Sequence, residues 1–149
     1  MKDITSLDIV VNLLKCLFTF YCIYYIAGSI CFGAFRLEIF DGKIPFDFKS
    51  WIDFTLCCTS YSSQQLANLI SMFSAYFFST LFYVVFLPSR LWDYAITVTF
   101  FHIIASCLVM LSFPLSWSWW LCLGTCLLMM IAIGQMVLYC CRSDEYKDS

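Results

Sequence analysis

Charge is what this chain lacks. Only 12% of its 149 residues are Asp, Glu, Lys or Arg, too few to cover the surface that a water-soluble domain of this size exposes. The ten acids and eight bases leave a formal net charge of −2, so no strongly charged face points to nucleic acid or to an anionic surface as partner. Histidine occurs once, as His102, and no cysteines form a C-x-x-C pair; the ligands of a zinc site are missing. There is no H-E-x-x-H, G-x-S-x-G or P-loop and no pair of acids at depth, which argues against an enzyme and calls for no cofactor. Repeats, low-complexity tracts and flexible linkers are absent too, so a single domain is expected. No N-x-S/T acceptor is present to report topology by glycosylation.

What is present is apolar: 62% of the residues are hydrophobic. A membrane span needs roughly 20 apolar residues, about 30 Å at helical rise. Four stretches qualify: Cys16 to Phe35, Leu66 to Leu87, Tyr94 to Phe113 and Trp117 to Cys141, with no Asp, Glu, Lys or Arg inside any of them. Pro88 and Pro114 close the second and third. The expected fold is therefore all-α, a polytopic membrane protein of four transmembrane helices in an antiparallel bundle. It divides into a segment 1–15, a transmembrane domain 16–141 with one long loop 36–65, and a short polar tail 142–149 expected to be disordered. The later connections are short, Pro88 to Asp93 and Pro114 to Ser116, which predicts that the last three helices are sequential neighbours.

The first apolar run is longer than the 7–15 residues or so of a signal-peptide core, and Asp3 and Asp8 spoil a basic leader. An uncleaved helix is expected. With four spans both termini share a side, and that side carries Lys2, Lys15, Arg90, Arg142 and Lys147 against Arg36, Lys43 and Lys49 on the other. The bias predicts cytosolic termini and a luminal long loop, with Trp117, Trp119 and Trp120 at the luminal interface and Trp92 at the cytosolic one.

Within the spans, His102 shares a helical face with Thr99, Ser106 and Ala95, so it reads first as an interhelical polar contact and second as a proton or ligand site. Asn68, Ser71, Ala75 and Ser79 form a stripe of small and polar residues suited to close helix packing. Gly28, Gly33, Gly124 and Gly134 are expected at further close contacts. Asp93 is expected to cap the third helix, or, with Arg90 and Trp92 in the same turn, to meet a cytosolic partner. Most of the ten cysteines lie in apolar runs and read as packing residues. Cys140, Cys141 and also Cys16 stand at span ends as candidates for S-palmitoylation, and the adjacent Cys57 and Cys58 are poorly placed to pair with each other. In the loop, apolar residues of the run from Ile44 to Phe54 fit either a strand or an interfacial helix.

The run from Trp92 to His102, Phe113-Pro114, Trp119-Trp120, Ile133-Gly134 and Tyr24-Tyr25 together resemble the SYS-one family of Golgi-localised integral membrane proteins. The matching positions are densest in the last two helices: Asp93, Tyr94, Thr97, Phe101, His102, Pro114, Trp119, Trp120 and Gly134. Pro45 to Lys49 and Trp92 to Ile96 look most like the transmembrane protein 244 branch of that family. The resemblance implies a four-helix receptor of the trans-Golgi membrane that recruits an ARF-related small GTPase for vesicle traffic, with Arg90, Trp92 and Asp93 in the docking turn. Two other classes stand beside it: a four-span adhesion or junction protein, prompted by Trp51 and Cys57-Cys58, and a transporter or channel, for which one histidine and scattered hydroxyls offer little.

Overall fold

Inside a bilayer no water can satisfy backbone N–H and C=O groups, so long uncharged apolar runs fold as helices. The computed structural model describes residues 6–38, 40–54, 61–87 and 90–147, with side chains as far as 143. It contains α1 (Ser6–Ala34), α2 (Ser63–Phe86), α3 (Leu91–Met110) and α4 (Trp117–Lys147), with one 3-10 turn at Ile44–Phe46. Each of the four is long and apolar enough to cross a membrane. No strand occurs among the described residues.

The ends follow local chemistry. After α1, the Arg36 N–H donates to the Gly33 carbonyl at 3.2 Å and the Leu37 N–H to Phe32 at 3.0 Å, with Arg36 at φ 53°. This is a Schellman closure with arginine in the left-handed position where glycine is usual. At the start of α2, Ser62 and Gln65 form a reciprocal capping box, the S-x-x-Q pattern made real.

Several boundaries differ from the sequence expectation, and three of them bear on the ends of the bundle. Helix α1 begins at Ser6 rather than Cys16, because Leu7, Val10, Val11 and Leu14 carry a helical apolar spacing through the segment before Lys15. Helix α4 runs on to Lys147, so residues 142–147 continue the helix instead of forming an irregular tail. Helix α3 starts at Leu91, its N-cap position is Arg90 at φ 59°, and no side chain caps it. Asp93 is thus in the first turn, where its charge suits the helix dipole, and does not cap by a hydrogen bond.

In the bundle α2 packs against α1 and α4, while α3 packs against α4 and, less extensively, α1. The short second connection predicts α2 and α3 side by side; among the described residues they instead lie across the bundle, bridged by the Tyr76 hydroxyl donating to Thr99 Oγ1 at 3.3 Å. Tyr83 Oη donates to the Cys16 carbonyl at 2.8 Å, which ties the end of α2 to α1; with Phe32 at the end of α1 clustered with Ala67 at the start of α2, the two helices are antiparallel. The stripe Asn68, Ser71, Ala75 and Ser79 is buried throughout. Large apolar side chains face outward, among them Phe18, Val85, Phe100, Leu108 and Leu128, each at least 60% exposed. In a bilayer that exterior meets lipid tails at no hydrophobic cost.

From Ile44 to Phe54 the long loop is neither strand nor surface helix. It folds back into the mouth of the bundle, burying Ile44, Phe48, Trp51 and Ile52. Tyr25 Oη donates to the Gly42 carbonyl at 2.8 Å, Gln65 Nε2 to Trp51 at 3.1 Å and Ser116 Oγ to Phe48 at 3.3 Å. These bonds hold the loop as a plug over one end. Cys57 and Cys58 lie outside the described residues.

Candidate functional site

The end of the bundle opposite the plug gathers the start of α1, the turn into α3 and the end of α4. Gly134 of α4 lies against Leu91: a Cβ there would fall 2.7 Å from Leu91 Cδ2 and 3.0 Å from Cδ1. That contact shows α3 and α4 antiparallel and levels Leu91 with Gly134. Residues Gln135 to Lys147 therefore carry α4 about 20 Å further, at 1.5 Å per residue. Arg90 and Trp92 are exposed on this turn and Asp93 is half-buried. The Asp93 N–H donates to the Arg90 carbonyl at 3.1 Å, and the Asp93 carbonyl accepts from Thr97 Oγ1 at 2.7 Å. An exposed arginine and tryptophan thus stand beside the last turns of α4, two residue types favoured as interface anchors.

The centre of the bundle holds His102, fully buried. Four aromatic rings surround it: Phe20 at 5.5 Å, Tyr24 at 5.8 Å, Phe46 at 6.0 Å and Tyr21 at 6.1 Å between centroids. The Tyr21 hydroxyl stands 3.5 Å from Nδ1, at the outer limit of hydrogen bonding. Nε2 has no partner among the described residues. Thr99 and Ser106, on the same face, turn their hydroxyls to the Ala95 and His102 carbonyls of their own helix. So the histidine is met by rings of α1 and of the loop, not by the hydroxyls beside it.

The sequence motif does not form one site. Asp93, Tyr94, Thr97 and Gly134 belong to the turn end of the bundle, and His102 to its centre. Pro114, Trp119 and Trp120 lie under the plug, where the Pro114 carbonyl accepts from Trp120 Nε1 at 2.9 Å. Trp119, expected at the membrane interface, is buried against Phe48 and Trp120 at 5.8 and 5.2 Å; Trp117 alone of the three is exposed. Phe101 points outward. Of the cysteines, Cys140 and Cys141 are exposed, while Cys16 is buried and unsuited to acylation in the folded chain. Gly28 meets Ile44, but Gly33 and Gly124 face open space rather than close contacts. Sequence reasoning missed Leu91 and the rings of the cage, because nothing local to Phe46 signals that the loop returns to α3.

No solved structure matches this chain. Transmembrane protein 244 of Homo sapiens is 35% identical over 114 residues, covering 74% of this chain and 82% of the human protein. Residues 5–149 match the family SYS1, described as integral membrane protein S linking to the trans Golgi network. The match spans all four helices and both ends of the bundle, so the chain belongs to the SYS1 family of integral membrane proteins.

Proposed function

We propose that this protein is a Golgi membrane receptor, not an enzyme, that docks an ARF-related small GTPase on the end of the bundle formed by Arg90, Trp92, Asp93 and the overhanging part of α4. Membership of a family linked to the trans-Golgi network carries the reading. The geometry supports it: the turn presents an exposed arginine and tryptophan, held in place by the Leu91–Gly134 contact. Lys15, Arg90 and Arg142 stand at the same end, and the sequence counts Lys2 and Lys147 with them against three bases on the other side, which favours a cytosolic orientation for it. In that orientation the plug is luminal. The adhesion reading loses one of its two prompts, since Trp51 is buried in the plug and not offered to an opposing membrane; the other, Cys57-Cys58, lies outside the described residues.

Co-precipitation of the ARF-related GTPase with wild type, Trp92→Ala and Arg90→Glu tests the proposal. The expected result is capture by wild type and loss in both variants, with all three proteins at a trans-Golgi marker. Absence of the GTPase from the wild-type precipitate would sink it.

A further inference from the structure

A cavity of about 670 Å³ opens beside the plug, at the level where α1 ends, α2 begins and α3 ends. Its lining includes three cations, Arg36, Lys43 and Lys49, and three acids, Glu38, Asp41 and Asp47. Among the described residues no ion pair joins any two of these six. Two of the acids are held in fixed positions: Asp41 Oδ1 accepts from the Lys43 N–H at 3.1 Å, and Asp47 Oδ1 from the Lys49 and Ser50 N–H groups at 2.9 and 3.1 Å. Deeper in the wall is Asn68, 1% exposed, with both amide atoms closed off from solvent and neither Oδ1 nor Nδ2 hydrogen-bonded among the described residues. A buried carboxamide unsatisfied at both atoms is costly, and this one lines the cavity. Phe32 and Met110 add apolar wall on the side of the helices.

We infer that this cavity binds the phosphoethanolamine head group of a phospholipid in the plug-side leaflet. Equal numbers of both charges suit a zwitterion and not an anion. The phosphate meets Arg36, Lys43 and Lys49, the ammonium meets the acids, and Asn68 in the wall completes the site with a donor and an acceptor once its side chain turns toward the head group. Choline is disfavoured, because a quaternary ammonium gives no hydrogen bond to carboxylates and is held by aromatic cages, whereas among the described residues the lining contains one ring, Phe32. The cavity lies where the spanning helices end, which places it at head-group depth, and the apolar wall leads toward the acyl chains. The inference does not depend on which leaflet is luminal, nor on GTPase docking.

The test uses the full-length protein, purified and delipidated in detergent. It is titrated with phosphatidylethanolamine, phosphatidylcholine and phosphatidylglycerol of identical acyl chains, and bound lipid is read by native mass spectrometry. Phosphatidylethanolamine is expected to bind about tenfold more tightly than either other lipid, the worth of one or two charge-assisted bonds. Asn68→Leu and the exposed pair Lys43→Gln/Lys49→Gln should each lose about tenfold. The surface pair keeps the test decisive if Asn68→Leu fails to fold. Equal binding of the three lipids, unchanged binding in Lys43→Gln/Lys49→Gln, or equal competition by soluble glycerophosphoethanolamine would each overturn the assignment.

Discussion

Leu91 and Gly134 are locked together by the absence of a side chain. At the start of α3 the leucine occupies the space that any Cβ at position 134 would enter, 2.7 Å from its Cδ2 and 3.4 Å from its Cγ. Leu91 is fully buried, so the turn that carries Arg90 and Trp92 is positioned by this pair. Gly134→Ala forces the leucine to move, at about 1–3 kcal/mol for overpacking. Leu91→Ala leaves a hole at about 2–5 kcal/mol. The double variant should melt higher than the sum of the two losses predicts, because the new methyl fills part of the hole. Thermal melting in detergent reads this, and strict additivity would show that the two residues are not coupled.

The cage around His102 separates packing from chemistry. His102→Ala removes a ring from among Phe20, Tyr21, Tyr24 and Phe46 and should cost about 3–5 kcal/mol, as for other buried rings. His102→Phe keeps most of the volume and discards a nitrogen without a partner, so its melting temperature should stay close to wild type. If His102→Phe melts normally yet abolishes GTPase capture, the histidine has a role beyond packing.

The plug depends on Gln65, whose Oε1 accepts from the Ser62 N–H while Nε2 donates to the Trp51 carbonyl. Ser62→Ala loses the cap at about 1 kcal/mol, with little effect on the loop. Gln65→Ala loses the cap and the tether together. Limited proteolysis of the loop should therefore accelerate in Gln65→Ala more than in Ser62→Ala; equal rates would mean the tether is idle.

Thiol labelling maps both burial and orientation. In the native protein a maleimide should modify Cys140 and Cys141, and reach Cys16, Cys122 and Cys126 only after denaturation. In sealed Golgi vesicles with the cytosolic face outward, a membrane-impermeant maleimide should label Cys140 and Cys141 without permeabilisation. Labelling that requires permeabilisation would invert the orientation.

Much of this architecture is legible in the linear chain because one constraint dominates it. Uncharged runs of spanning length must be helical in lipid, so four helices, their order and one long loop follow from residue type alone. The face bearing Thr99, His102 and Ser106, and the stripe of Asn68, Ser71, Ala75 and Ser79, follow equally from helical period, and all seven residues are buried. The same constraint says nothing of what happens once the charges begin, which is why α1 and α4 run past their expected ends.

Tertiary structure alone decided who touches whom. Lipid tails are as apolar as leucine, so hydrophobicity gives a spanning helix no preferred neighbour; close fit does, as with Leu91 against Gly134 and Tyr76 across to Thr99. Nor does any local signal tell that Phe46 reaches His102, that Phe48 covers Trp119, or that Asn68 and six charges line one cavity. Those contacts join residues far apart in the chain, and only the closing of the loop over the bundle brings them together.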